Sequence, residues 1–101
     1  MNKVFLTGRL VKAVELRYTK DNLAIAHFTL AVNRNKKDEA DFLNCIAYGN
    51  QAELITRYLD KGSKVAVDGH IQTGPYEKDG KKVYTTDIAV DKIEFLSNKQ
   101  E

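Results

Sequence analysis

The 101-residue chain has no tryptophan, one cysteine, one proline and one methionine. A lone cysteine, Cys45, can form neither an internal disulfide nor a cysteine-rich zinc site, so a secreted, stapled scaffold is excluded. No apolar run approaches the ~20 residues needed to cross a bilayer. The stretch Val4-Phe5-Leu6 near the N-terminus is too short for a signal-peptide core, and a reducing, cytoplasmic setting is expected. Internal repeats, proline-rich linkers and low-complexity segments are absent. Neither sign of charge dominates: 16 Lys and Arg stand against 14 Asp and Glu, for a net +2. Only the distribution of that charge could select a partner. What is present, 43% hydrophobic and 30% charged residues, fits one folded domain with a single core.

Period-two alternation dominates the chain. Val4, Leu6, Gly8 and Leu10 alternate with Phe5, Thr7 and Arg9 and predict a first strand that ends near Lys12. Lys20-Asp21-Asn22 is a turn signal. Ile25 to Val32 predicts a second strand, with Ala26, Phe28, Leu30 and Val32 on one face. Asn33 to Ala40 reads as a loop. Phe42 to Tyr48 predicts a third strand, with Leu43, Cys45 and Ala47 facing one way and Phe42, Asn44, Ile46 and Tyr48 the other. The period then lengthens. Ala52, Ile55 and Leu59, with Leu54 and Tyr58 beside them, predict one amphipathic helix of about ten residues. Asn50 and Glu53 are spaced as a capping box, and Gly62 reads as the C-terminal stop. Val65, Val67, Gly69 and Ile71 predict a fourth strand. Asp79-Gly80 signals a hairpin, and Val83 to Phe95 a fifth strand. Ile88 and Val90 share one face of it while Ile93 and Phe95 share the other, which a bulge near Asp91 reconciles. Five strands with a short helix between the third and fourth are the layout of the OB fold, a small Greek-key barrel. Gly8 and Gly69, inside strands, suit its sharp bends; an SH3-like barrel is the other five-stranded candidate.

Catalytic chemistry has little to work with. His27 and His70 belong to no metal-spacing motif, and no phosphate-binding loop or nucleophile motif is present. Asp38, Glu39 and Asp41 read as a solvated loop before a metal or acid–base site, and Cys45 as an inert buried thiol. The aromatics say more. If Leu43, Cys45 and Ala47 are core, Phe42 and Tyr48 face outward and form a platform on which bases can stack. Tyr76 and Tyr84 lie in the hairpin. Lys3, Arg9, Arg17, Lys20, Arg34, Lys36, Lys37, Lys78, Lys81 and Lys82 are interleaved as candidate phosphate contacts. A solvated charged surface over ordinary barrel packing remains the alternative on these residues alone.

The segments Asn2-Lys3-Val4-Phe5-Leu6-Thr7-Gly8-Arg9-Leu10, Ala24 to Arg34, Phe42-Leu43-Asn44-Cys45-Ile46-Ala47-Tyr48-Gly49, Tyr58 to Val65, Gly69 to Thr73 and Tyr84-Thr85-Thr86 stand in an order and spacing that resemble the bacterial-type single-stranded DNA-binding proteins. The resemblance covers nearly the whole chain. It implies an OB fold over residues 1–97 with a short end at 98–101, usual assembly as a homotetramer, and nucleoid-associated coating of single-stranded DNA in replication, recombination and repair. It implies no catalytic residue, cofactor, metal or membrane. Its stacking positions match Phe42, Tyr48 and Tyr76. A fourth position falls near Lys36, where this chain has no aromatic, and the tryptophans common at two of the others are absent. Three stacked aromatics supply ~3–9 kcal/mol before ordering costs, so binding is expected to lean on Lys and Arg. Lys12-Ala13-Val14-Glu15 departs from the usual Asp-Pro, which should loosen that loop. The acidic-hydrophobic tip that recruits other proteins has no counterpart before Glu101, so tail-mediated recruitment is not expected. Competing readings are a dimeric replication-restart OB protein that acts through protein contacts, an RNA-binding cold-shock-like chaperone, and a small metal-dependent nuclease.

Overall fold

The computed structural model describes residues 1–97, apart from the side chains of residues 75–78; the short end expected at 98–101 lies outside the described residues. The elements are β1 (Val4–Leu10), β2 (Glu15–Tyr18), β3 (Ala24–Asn33), β4 (Ala40–Tyr48), α1 (Gly49–Tyr58), β5 (Lys64–Lys78) and β6 (Lys81–Phe95). Strand order is β1-β5-β6-β4-β3-β2, and a further β1–β3 pairing closes the barrel. All pairings are antiparallel except β4 with β6, which meet in parallel at Cys45↔Ile88 and Ile46↔Ala89.

The expected five strands become six segments because the first strand is broken. Residues 11–14 interrupt it, so that β1 pairs with β5 while β2 pairs with β3. The two segments act as the halves of one bent first strand, and the helix then lies between the third and fourth strands of a five-stranded OB barrel. Glu15 to Tyr18 lies between the first strand expected to end near Lys12 and the turn at Lys20, and its four-residue alternation is too short to predict a strand.

The core is the inward face of each strand plus one stripe of the helix. Leu10, Phe28, Leu30, Cys45, Ala52, Ile55, Leu59, Val65 and Val67 are buried in one cluster. Full burial of a Leu, Ile or Phe contributes ~1.5–3 kcal/mol, so these side chains hold the barrel shut. Two glycines permit its curvature. A Cβ on Gly8 would stand 2.6 Å from the Ala31 carbonyl oxygen, and one on Gly69 would stand 2.4 Å from that of Ala89. At Gly69 the β5–β6 register also jumps: Asp68 faces Lys92 but Gly69 faces Val90, leaving Asp91 as the bulged residue. The slip of phase along Val83 to Phe95 predicts a bulge at this point.

Two local expectations are corrected. Asn50 does not cap the helix, because α1 starts at Gly49 directly from β4 and Tyr48 occupies the cap position without a side-chain bond. The chain enters the helix with no linker, and Glu53 instead accepts a hydrogen bond from the Tyr18 hydroxyl at 3.2 Å. Gly62 does not stop the helix. Extended Leu59 ends it, and Gly62, at φ 89°, turns the loop that follows and donates to the Leu10 carbonyl at 2.7 Å. Leu54 and Tyr58 stay exposed beside the buried stripe.

Candidate nucleic-acid interface

The site is built by register. Residues directly opposite each other on paired strands point to the same side of a sheet. On the outer side of β3 and β4 this produces successive rows: Ala31 with Phe42, Thr29 with Asn44, His27 with Ile46, and Ile25 with Tyr48. Neighbouring strands extend three of them. Arg9 of β1 joins Ala31, while Glu15 and Arg17 of β2 join His27 and Ile25. An arginine therefore stands in the row of each β4 aromatic. Phe42 is 67% exposed and Tyr48 41%, while Cys45 and Ala47 on the other side are buried, as the alternation predicts; Ile46, expected outward with the aromatics, is buried instead, where β6 pairs alongside it at Ala89. Along a strand rising ~3.3 Å per residue, Phe42 and Tyr48 lie ~20 Å apart.

Between them runs an open groove of ≈ 380 Å³ whose lining includes Lys12, Arg17, His27, Thr29, Asn44 and Asp87. Its far wall is β6, where that strand leaves the barrel to form a hairpin arm with β5. Tyr84 on this arm is 73% exposed, and Lys81 and Lys82 are exposed near the turn. The side chains of Tyr76 and Lys78 lie outside the described residues.

The basic candidates differ in their surroundings. Arg9 is exposed and its Nη1 donates to the Gly62 carbonyl at 2.8 Å, which holds the guanidinium toward the loop before β5. Arg17, Lys20, Lys36 and Lys37 are exposed. Arg34 is gripped by Asp41: Nη2 donates to Oδ1 at 2.7 Å, and Nε is 3.1 and 3.2 Å from the two carboxylate oxygens. The Arg34 hydrogen bonds hold the Asp41 carboxyl below its ordinary range. Lys3 is in a different place altogether. It pairs with Asp68 and, at 3.4 Å, with Asp91, beside Phe5 on the β1–β5–β6 side. Hydrogen bonding to Asp68 raises its pKa. The register thus brings Arg9 and Arg17 to the aromatic rows but not Lys3.

Asp38, Glu39 and Asp41 form no metal site: among the described residues no group of three or more His, Cys, Asp or Glu could hold an ion. Cys45 is buried, and burial pushes its thiol pKa up to about 12, so it is no nucleophile. His70 Nδ1 lies 3.0 Å from Asp91 Oδ2, which lowers the Asp91 pKa. No helix among the described residues is long and apolar enough to cross a membrane.

Sequence reasoning missed Phe5, an exposed ring whose centroid lies 5.8 Å from Lys3 Nζ, and the polar groups of the groove, His27, Thr29 and Asn44. Asn44 shares the period of Phe42 and Tyr48, and that was the available signal.

Comparison with known proteins gives a consistent picture. The family model described as "Single-strand binding protein family" matches residues 1–96. A single-stranded DNA-binding protein of Clostridium perfringens is 52% identical over 97% of this chain and 67% of its own length. Single-stranded DNA-binding protein 3 of Listeria innocua is 49% identical over 99% of the chain and 66% of its own. Single-stranded DNA-binding protein A of Bacillus subtilis is 45% identical over 98% and 61%. The chain thus spans about two thirds or less of the length of these relatives. Matched from end to end of its described barrel, this chain belongs to the single-strand binding protein family.

Proposed function

We propose that this chain coats single-stranded DNA without reading a fixed sequence, serving replication, recombination or repair, and that it has no catalytic role. The observation that carries the reading is the pair of exposed aromatics on the outer side of β4, each in register with an arginine. Unpaired bases offer π-faces that a duplex hides, and the cations meet the phosphates beside them. Phe42, Tyr48 and Tyr84 are the stacking residues, with Tyr76 as a fourth. Arg9, Arg17, Lys20, Lys36, Lys37, Lys81 and Lys82 are the phosphate contacts, joined by Lys78. Lys3 and Arg34 contribute less, because carboxylates already engage them. If each of the seven described cations neutralised one phosphate, the log–log salt slope would reach about −5.

The test is a fluorescence-anisotropy titration of labelled oligo(dT) at low and moderate salt, with equal-length duplex DNA and RNA as competitors. Tight binding that duplex does not displace, and that weakens as salt rises, is expected. Equal binding to oligo(dT) and duplex would sink the reading. The names of the relatives favour it over a replication-restart module. A homotetramer is the assembly we propose; light scattering should give the mass of four chains, and a mass of two would favour the dimeric alternative.

A further inference from the structure

We infer that Asn44, held by Thr29, is a base-edge donor that biases this surface toward bases carrying a carbonyl group. The inference rests on the binding surface proposed above and adds a chemical preference to it. Thr29 and Asn44 are directly opposed across β3 and β4, in the row adjacent to Phe42. Rows on one side of a strand repeat every ~6.6 Å, about one step of an extended nucleotide chain. A base stacked on Phe42, or the one after it, therefore brings its edge to this row. Asn44 is exposed and lines the groove.

The chemistry follows from one hydrogen bond. The Thr29 hydroxyl donates to Asn44 Oδ1 at 3.2 Å. An Asn amide carries its acceptor oxygen and its two-proton donor nitrogen as the two arms of one planar group. With Oδ1 engaged by Thr29, Nδ2 is the arm left to meet a base, and the residue offers protons rather than lone pairs. Thymine O4 and guanine O6 are acceptors that satisfy it; the amino group of adenine is a donor that does not. Asn44 is the contact, and Thr29 is its positioning residue.

Three probes share one purine ring: oligonucleotides uniform in hypoxanthine (a carbonyl at position 6), adenine (an amino group) and unsubstituted purine (neither). Each is titrated against the full chain, the Asn44→Ala variant, and Thr29→Val with Thr29→Ser as its conservative partner. Self-stacking of each oligonucleotide cancels when variant and parent are compared. The parent should prefer hypoxanthine to purine by about threefold to tenfold, the worth of one net hydrogen bond. Asn44→Ala should bring that ratio close to one. Thr29→Val should lower it, and Thr29→Ser should restore it. A ratio that survives Asn44→Ala overturns the inference, as does an Asn44-dependent preference for adenine, which would mean that the amide presents its oxygen. Either result leaves tight binding to oligo(dT) intact, whereas loss of oligo(dT) selectivity over duplex would overturn the binding surface itself.

Discussion

Replacing Asp41 with asparagine should strengthen DNA binding, although Asp41 need touch no DNA. In the parent, the Arg34 guanidinium makes its 2.7 Å contact and two longer ones to this carboxylate, so the pair presents almost no net charge at the end of the β3–β4 hairpin. Asp41→Asn keeps the size and removes the charge, raising the net value by one from +2. Arg34 is then available to a phosphate. One added phosphate contact steepens the log–log salt slope by about 0.7 on a single strand. Between 50 and 200 mM salt, the ratio of affinities should therefore grow by a further factor of about 2.6. The stability cost is small, since exposed pairs contribute ~0–1 kcal/mol. The assay is the oligo(dT) titration across a salt series for the parent, Asp41→Asn, Arg34→Ala and the double variant. Arg34→Ala alone should change the slope little, and in the Asp41→Asn background it should abolish the gain. An unchanged slope in Asp41→Asn, or a gain that persists without Arg34, would refute the reasoning.

Other outcomes follow from the same structure. Phe42→Ala and Tyr48→Ala should each weaken binding to a short oligo(dT) by ~1–3 kcal/mol, roughly fivefold to 150-fold, with the salt slope unchanged because no phosphate contact is lost. Gly69→Ala drives a Cβ to 2.4 Å from the Ala89 carbonyl oxygen; overpacking of this kind costs ~1–3 kcal/mol, and calorimetry should show Tm lowered by on the order of ten degrees. Cys45, with its thiol pushed up to about 12, should react with a thiol reagent at neutral pH only after unfolding. His70, then Lys3, holds the Asp91 carboxyl below its ordinary 3.8. Its stabilising contribution is present above that value and is lost as pH falls through the lower folded one, so Asp91→Asn should flatten the acid limb of a Tm–pH curve.

The class of fold and the outward placement of the aromatics are legible in the chain without any tertiary information. Alternation of apolar and polar residues is a local property with a period of two, and it assigns Phe42 and Tyr48 to one side and Cys45 and Ala47 to the other before any strand is paired. The slip of phase between Val90 and Ile93 located the bulge at Asp91 for the same reason. Which strands are neighbours is settled by packing in three dimensions, and that selects the working cations. Arg9 and Arg17 reach the aromatic rows through cross-strand register, Lys3 is drawn to Asp68 and Asp91 on another side, and Arg34 is held by Asp41. Pattern along a chain cannot distinguish these cases, since each is an exposed basic residue in an alternating or polar stretch. Capping failed in the same way: Asn50 and Glu53 have the right spacing, but β4 runs straight into α1 and Tyr18 reaches Glu53 from a strand 35 residues away. Periodicity is set by the residues next in sequence. Charge neutralisation and hydrogen-bond partnership are set by residues next in space.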